Sequence, residues 1–430
     1  MEGAINKKSF NRWIPVIASI AIQLCLGTAY VWGAFQKGIA GYLFNGNNAN
    51  AALAFSILLA VLTFGGTVGG KLQDKYGPRY VVMAGGIIMA IGFFLASMIT
   101  PGNGWMIWIT YGVLGGFGSG MTYSTTIACC QKWFPDKRGM VTGIIVSALG
   151  FGGVVLTLIA ESLMKNFGGS GTGTAELKTF FILSIIFLVV TVVGSLFIKD
   201  PEPGYKPADW TPPAAKPGVT HQDLTPKQVL KTPQFYLITI TLMFAAMAGL
   251  MMIAFGKSIA GAQKDLKDIA YYGVLIVALF NSIGRLFWGW TSDKLGRKQT
   301  LLILLISTAV LILLVKFVVA SILFFVLIAA IGFLYGGYLG TFPALTADYF
   351  GSKNMGMNYG MVLLGFGIGA VVSSFIAGFY FDQAKVFDSA GVMIAIDMNI
   401  LFIAFIIASV ASIIGALLIS YLRPPKALKQ

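Results

Sequence analysis

The sequence predicts an all-α membrane protein with twelve transmembrane helices, arranged as two six-helix halves related by pseudo-symmetry. Of the 430 residues, 57% are hydrophobic and only 11% are charged. A soluble globular chain carries about a quarter charged residues, and a disordered chain has low hydrophobicity. At about 20 residues per span, this length accommodates about twelve helices with short loops. A loop motif that occurs once in each half of the chain supports the duplication.

Twelve apolar runs are each long enough to cross the hydrocarbon core as a helix. The abundance of glycine, with 53 residues, suits helices that pack closely in a membrane. We number these runs as spans one to twelve. In chain order they cover residues 13–36, 51–70, 80–100, 105–127, 139–164, 178–198, 234–256, 269–290, 299–319, 320–345, 357–380 and 398–422.

A polar stretch at residues 199–233, rich in Pro and Lys, separates span six from span seven. Such a stretch cannot cross a membrane, so it reads as a cytoplasmic linker. We therefore predict an N-terminal half at residues 1–198 and a C-terminal half at residues 234–430.

The distribution of Lys and Arg predicts how the chain is oriented. With both termini cytoplasmic, 21 of the 30 basic residues fall in cytoplasmic segments, 8 fall in outer loops, and Arg285 lies within span eight. The net charge of +14 is thus a topology signal, and we expect no nucleic-acid partner. Span one is too long for the apolar region of a cleaved signal. We expect a multi-pass protein of the cytoplasmic (inner) membrane, embedded in lipid and without an obligate protein partner.

The cysteines and histidine argue against metal binding and catalysis. The three cysteines lie in apolar runs, and the single histidine, His221, lies in the polar stretch. Neither gives the spacing of a metal site. A membrane protease or transferase would need a His/Asp or Ser/His/Asp set. We therefore expect no metal, no cofactor and no enzymatic activity.

The loop motif reads GKLQDKYGPR at residues 70–79, after span two, and GWTSDKLGRK at 289–298, after span eight. The second copy lies 219 residues after the first, which indicates duplicated halves. Here the chain resembles the major facilitator superfamily, whose cytoplasmic loop reads Gly-x-x-x-Asp-Arg/Lys-x-Gly-Arg-Arg/Lys. Pro78 replaces an Arg in the first copy.

In both copies the acidic residue can cap a helix N-terminus or pair with a basic residue across the contact between the halves. The alternative is a loop that serves only solubility and topology. We predict a gating role for four residues, which are Asp74, Arg79, Asp293 and Arg297.

Further runs are similar to the oxalate/formate antiporter family and to the related monocarboxylate transporters. They are GTAYVWGAF at 27–35, GFGSGMTY at 116–123, KWFPDKRG at 132–139, YGGY at 335–338 and NYG at 358–360. The resemblance implies small organic carboxylates as substrates, such as lactate, pyruvate, formate or oxalate. It also implies a binding cavity between the halves, an Arg of span eight at the substrate, and an apolar wall at Leu149 of span five.

Arg285 is the one basic residue well inside a span. Placing an Arg there costs about 2.5–3.5 kcal/mol, so a functional role is the default expectation. Its planar guanidinium can hold a carboxylate with two hydrogen bonds, although a side chain snorkelling towards the cytoplasm is the alternative. Asn281 lies one turn earlier on the same face. Animal-type monocarboxylate transporters carry an Asp at that place, so a protonatable partner for Arg285 is missing here.

Aromatic residues complete the predicted site. A phenol can donate to a carboxylate, although membrane tyrosines more often serve packing; the candidates are Tyr30, Tyr123, Tyr335 and Tyr338. Phe366 or a neighbour stands where oxalate-exchanging relatives carry a Lys in span eleven. Because one buried cation balances one carboxylate, a dicarboxylate would be left half-neutralised. We predict a secondary transporter of monocarboxylates that works by proton symport and rocker-switch alternating access, with an oxalate/formate-type anion exchanger as the alternative.

Overall fold

A computed structural model of the chain describes residues 10–207, 223–262, 270–318, 322–387 and 393–423, and for 252–262, 270–275 and 393–394 it describes the backbone alone. Ten helices among these residues are long and apolar enough to cross a membrane. Two further spans are present as helix, at Trp108–Trp133 and Ala270–Leu295. The twelve spans of the predicted all-α fold are thus all found as helical units.

The N-terminal half contains spans one to six, and two of these spans are irregular. Span one is interrupted by a 3₁₀ segment, and span four begins with a π-helical segment. The elements are α1 (Trp13–Leu26), the 3₁₀ segment (Gly27–Val31), α2 (Trp32–Phe44), α3 (Asn48–Tyr76), α4 (Pro78–Ser97), the π segment (Trp108–Gly115), α5 (Gly116–Trp133), α6 (Arg138–Asn166) and α7 (Thr174–Ser195).

The C-terminal half contains spans seven to twelve, preceded by one short helix. The elements are α8 (Pro226–Val229), α9 (Pro233–Ala262), α10 (Ala270–Leu295), α11 (Arg297–Val318), α12 (Leu323–Phe350), α13 (Met355–Ala384), β1 (Lys385–Phe387), β2 (Met393–Ile396) and α14 (Met398–Ser420). Residues 208–222 of the predicted linker lie outside the described residues.

A short antiparallel hairpin between spans eleven and twelve was not predicted. Lys385 pairs with Ile396 and Val386 with Ala395. Directly after β2, the Asp397 side chain accepts a hydrogen bond from Asn399 N and caps α14. A few apolar residues at the end of a long helix carry too weak a period-2 pattern to distinguish a strand from helix.

Each copy of the loop motif makes a tight reversal between two helices. α3 ends before Gly77, whose φ is 85°, and Pro78 opens α4. α10 ends before Gly296, whose φ is 92°, and α11 follows at once. Positive φ is costly for residues with a Cβ, which is why Gly stands at both reversals.

The two halves meet along two helix pairs, α3 with α13 and α6 with α10. Glycines let these backbones touch: a Cβ on Gly70 would lie 2.1 Å from Gly356 O, and one on Gly139 would lie 2.2 Å from Gly289 O. Small residues permit such close approach between membrane helices. These contacts lie at the end of the bundle that carries residues 70–79 and 289–298, which we call the motif end.

Candidate functional site

Arg285 is completely buried, with 0% of its surface exposed. It is enclosed because glycines of two neighbouring helices approach its backbone. A Cβ on Gly143 of α6 would lie 2.6 Å from Arg285 O, and one on Gly340 of α12 would lie 2.5 Å from it. The structure therefore excludes a guanidinium that snorkels to water.

The guanidinium of Arg285 makes two hydrogen bonds, and both cross to the N-terminal half. Nη1 donates to Val146 O at 2.7 Å, and Nη2 donates to the hydroxyl of Tyr30 at 2.7 Å. Tyr30 stands on the 3₁₀ segment and is 39% exposed. No described carboxylate forms an ion pair with Arg285. The buried positive charge is thus solvated by neutral groups.

Three buried donor groups around Arg285 lack a hydrogen-bond partner within the described part of the chain. They are Nε of Arg285, Nδ2 of Asn281 and the hydroxyl of Tyr335. Tyr335 is held in place by Gly249 of α9, where a Cβ would lie 1.9 Å from the ring. A buried polar group left unpaired costs about 1–3 kcal/mol. The arrangement therefore suits a ligand that brings acceptor oxygens.

Two further phenols lie beside this group of donors, one from each half. The hydroxyls of Tyr123 on α5 and Tyr359 on α13 are 3.5 Å apart, and both residues are buried. Tyr359 was missed as a site residue, although the NYG run at 358–360 had been noted for its resemblance. Its hydroxyl, on a span at the contact between the halves, was the available signal.

Tyr338, also predicted as a site residue, has a hydrogen-bond partner within its own half. Its hydroxyl donates to Thr308 Oγ1 of α11 at 2.9 Å, within the C-terminal half. Tyr335 and Tyr338 are three residues apart on α12, with rings 6.4 Å apart at 75°. Because of that offset, the two phenols have different neighbours. Only the Tyr335 hydroxyl is among the unpaired donors around Arg285.

The two apolar residues predicted to line the site are buried. Leu149 on α6 and Phe366 on α13 are each 8% exposed. One turn before Phe366, Leu363 packs on α3, where a Cβ on Gly66 would lie 3.3 Å from its Cδ2. Span eleven thus presents apolar side chains at Leu363 and Phe366.

The predicted gating residues all lie at the motif end. Asp293 accepts from the backbone N–H groups of Gly139 and Met140, at 3.0 and 2.7 Å. Asp74 accepts from Met357 N at 3.4 Å. Arg297 forms ion pairs with Asp293 and with Asp348 of α12, whereas Arg79 donates to Leu196 O.

Asp348 was not among the residues predicted for gating. It pairs with Arg297 at 2.9 Å and with Arg138 of the other half at 3.0 Å. Asp348 lies two residues before the end of α12. The sequence does not indicate its ion pairs, because both partners come from distant segments.

Two six-helix halves with a buried cation at their contact define a polytopic membrane transporter. The chain belongs to the Major Facilitator Superfamily, whose family model matches residues 17–280 and 258–430. It is accordingly a multi-pass integral membrane transporter and not an enzyme.

Three relatives match most of the chain. An uncharacterized MFS-type transporter, YhjX of Escherichia coli, is 31% identical, with 84% of this chain and 86% of that one covered. The oxalate:formate antiporter of Oxalobacter formigenes is 26% identical, with 85% of each covered. Monocarboxylate transporter 13 of Rattus norvegicus is 24% identical, with 86% and 82% covered. The predicted resemblance to the oxalate/formate antiporters and to the monocarboxylate transporters is confirmed.

Solved structures confirm the fold. The transporter FucP in its outward conformation matches with a TM-score of 0.69 at 13% identity, covering 95% of this chain and 99% of that one. The predicted pseudo-symmetric twelve-helix architecture is therefore correct.

Proposed function

We propose that this transporter carries small monocarboxylates of the lactate, pyruvate or formate type, with Arg285 as the anion-binding group. The observation that carries the proposal is a guanidinium with 0% exposure and no acidic partner among the described residues. Its own Nε, Asn281 Nδ2 and the Tyr335 hydroxyl are donors still to be paired. A carboxylate supplies both the negative charge and the acceptor oxygens that this group needs.

The charge around Arg285 favours one carboxylate over two. Oxalate-exchanging relatives carry a Lys in span eleven. Here the predicted counterpart is the buried and uncharged Phe366. A second carboxylate would enter a low-dielectric cavity without a counter-charge, at a cost of several kcal/mol. A monocarboxylate is therefore preferred to oxalate.

Binding and conformational change are connected through the contacts of Arg285. Nη2 is bonded to the Tyr30 hydroxyl, and Nη1 to Val146 O. An incoming carboxylate competes with the neutral Tyr30 hydroxyl and is favoured, because it adds the attraction of opposite charges and can accept two parallel hydrogen bonds. Neutralising the guanidinium lowers the cost of enclosing it in a dry cavity, which favours the change between the two access states.

The direct test replaces Arg285 with Gln and measures uptake of labelled lactate and pyruvate into proteoliposomes. We expect uptake to fall by about 100-fold or more, because a buried hydrogen-bonded charge is worth about 2–5 kcal/mol. Arg285→Lys keeps the charge without the planar fork and should retain partial uptake. Gel filtration and thermal unfolding check that both variants fold. Normal uptake by Arg285→Gln would contradict the proposal.

For the coupling mode we propose proton symport. No described carboxylate forms an ion pair with Arg285, and Asn281 replaces the protonatable partner. Because the substrate pairs with Arg285 as an ionised carboxylate, another group has to carry the proton. Lactate uptake should then rise as the external pH falls, without a need for internal substrate.

The alternative is anion exchange, and the 26% identity to an oxalate:formate antiporter favours it. Exchange would make uptake depend on internal substrate, and oxalate would compete strongly with labelled lactate. Either result would replace the symport proposal.

We also propose that the motif end and both termini face the cytoplasm of the inner membrane. This rests on the 21 basic residues in segments on that side, against 8 on the other. Labelling of single cysteines from either side of the membrane would test it.

A further inference from the structure

We propose that the end of the linker, at Leu224, controls which group caps the N-terminus of span eleven. The backbone of Leu224 binds the Asn354 side chain and so keeps Asn354 from capping its own helix, α13. The backbone N–H of Met357 then stays available to Asp74 of the opposite half. The proposal goes beyond substrate binding, because it gives the linker a part in the contact between the halves.

The first observation is that the linker end is docked on the reversal between α12 and α13. Leu224 N donates to Phe350 O at 2.9 Å. Leu224 O accepts from the side-chain amides of Asn354 and Asn358, each at 3.1 Å. The Leu224 side chain is only 4% exposed and packs in the hydrophobic core. Both backbone polar groups of Leu224 and its side chain are therefore engaged in this contact.

The second observation is that Asn354 stands at the N-cap of α13 but makes no capping bond. Asn favours this position because its side-chain oxygen accepts from the second or third backbone N–H of the helix. Asn47 caps α3 in this way, and Asp397 caps α14. Their ψ angles are 97° and 104°, in the extended range, whereas ψ of Asn354 is 30°. The bond to Leu224 thus accompanies a conformation in which Asn354 does not cap its helix.

The third observation is the partner of the N–H group that Asn354 leaves free. Met357 is the third residue of α13 after the N-cap, which is a position that an Asn side chain normally caps. Its N–H donates instead to Asp74 Oδ2 of α3, at 3.4 Å. The negative charge of Asp74 also suits the N-terminal end of a helix. Span eleven is therefore capped from the opposite half.

The first turn of α13 is held on two sides. Asn354 and Asn358 are one helical turn apart and share the face that meets the linker. Gly356 and Met357 lie on the other side and contact α3, where a Cβ on Gly70 would lie 2.1 Å from Gly356 O. The linker and α3 therefore do not compete for space. They are connected only through the choice of cap.

The consequence concerns the state in which the halves separate at the motif end. Met357 N then loses Asp74, and with the linker docked it is left to water. If the linker is released, Asn354 can cap Met357 N itself. An N-cap bond of typical strength raises the population of the separated state roughly fivefold. The docked linker therefore opposes separation by withholding the cap that the separated state would use.

The experiment measures how fast a cysteine buried between the halves reacts with a maleimide. Leu363→Cys on α13 is the reporter, because Leu363 is 1% exposed and packs against α3 near Gly66. The three native cysteines, which are all buried, are replaced by Ala. The full-length protein is labelled in detergent without substrate, so the result does not depend on the proposed function.

The variants separate capping from packing. Leu224→Ala weakens the docking of the linker and should raise the labelling rate roughly fivefold. Asn354→Ser supplies a cap that the linker does not hold, and it should raise the rate by a similar factor. Asn354→Ala loses the same linker bond but cannot cap, so the rate should stay within about twofold of the reporter protein. Adding Leu224→Ala to Asn354→Ala should have no further effect, because no competing cap remains.

Leu230→Ala is the matched control for Leu224→Ala. It makes the same truncation later in the linker, at a residue that is 44% exposed. It should leave the labelling rate unchanged. Should Leu224→Ala fold poorly, as judged by gel filtration and thermal unfolding, the comparison of Asn354→Ser with Asn354→Ala decides alone.

Two outcomes would overturn the inference. Equal labelling rates in Asn354→Ser and Asn354→Ala would show that capping of α13 has no part in the contact between the halves. A full effect of Leu224→Ala in the Asn354→Ala background would show that the linker acts by packing alone. Failure of the proposed function is recognised separately, since lactate and pyruvate uptake would then be absent whatever the labelling rates.

Discussion

Asp74 and Asp293 occupy the same position in the two copies of the loop motif, and each accepts from the backbone of a helix in the opposite half. Asp293 uses both carboxylate oxygens, at 3.0 and 2.7 Å, on the first turn of α6. Asp74 makes one contact of 3.4 Å with the first turn of α13. Helix N-termini attract negative charge, so both contacts are favourable, but they differ in strength.

The second copy is also part of a network of charges. Arg297 forms ion pairs with Asp293 at 2.6 Å and with Asp348 at 2.9 Å. Arg138 of the N-terminal half forms a third, with Asp348 at 3.0 Å. Their side chains are only 11–17% exposed. The first copy, within the described residues, has no equivalent ion pair at Asp74.

The sequence explains the difference position by position. With the two copies aligned, Pro78 stands opposite Arg297. Gln131 lies two residues before the end of α5, as Asp348 lies before the end of α12. Met355 opens α13, as Arg138 opens α6. The first copy therefore lacks all three partners.

The two copies share one contact. In each, the last residue of the motif donates to backbone carbonyls at the end of the last helix of its own half. Arg79 donates to Leu196 O after α7, and Lys298 donates to Ser420 O and Leu422 O after α14. This contact lies within one half and does not change when the halves separate. The duplicated fold is thus kept in both copies, while the ion pairs at the motif end are concentrated in the second.

The largest effect is expected from removing the centre of the network. Asp348→Asn leaves Arg138 without a carboxylate and removes one of the two carboxylates paired with Arg297, which should lower the free energy of unfolding by about 3 kcal/mol. The motif end should open more often, so a cysteine placed there should be labelled faster. Thermal unfolding and labelling rates measure the two effects.

Asp136→Asn is the matched control for this change. Its single ion pair with Arg12 lies within the N-terminal half, and the Arg12 side chain is more exposed than either arginine of the network, at 26%. It should cost less than about 1 kcal/mol and leave labelling unchanged. If both variants destabilise the protein equally, the network has no special role between the halves.

A smaller effect is expected from building the missing partner into the first copy. Pro78→Arg places a guanidinium beside Asp74, as Arg297 lies beside Asp293. We expect a gain of about 0.5–1 kcal/mol in stability and slower transport, because the closed motif end is favoured. Pro78→Ala controls for the loss of the proline. A destabilised Pro78→Arg that transports faster would contradict the comparison.

The smallest effect is expected from Asp74→Asn. It removes the charge from a single long contact, so stability should change by about 0.5 kcal/mol and salt should reduce the difference further. Asp293→Asn should cost several times more. Equal losses in the two variants, measured by thermal unfolding, would mean that the two copies contribute alike.

Most of the fold was predictable because each span must be apolar to reside in lipid. The irregular segments were not. The 3₁₀ break at Gly27–Val31 depends on close packing, since a Cβ on Gly27 would lie 2.4 Å from Gly152 of α6. The sequence of residues 13–36 does not indicate that Gly152 packs against this segment.

The candidate site was predictable where it depends on chemistry that is rare in a membrane. Arg285 and Asn281 were found because a charge or an amide in an apolar run is costly. The partner Val146 O was not, because every residue has a backbone carbonyl. Tyr359 and Tyr338 were not distinguished by residue type, since only helix packing decides which phenol faces Arg285.

The sequence by itself determined the number of spans, their duplication, and the one buried cation with no acid beside it in span eight. These follow from local transfer energies, which depend on residue type and order alone. The tertiary structure decided which hydroxyls surround Arg285, which donors stay unpaired, and which copy of the loop motif carries the charge network. Those properties depend on distances between residues more than a hundred positions apart, such as the 139 residues between Val146 and Arg285, and only the packed helices set them.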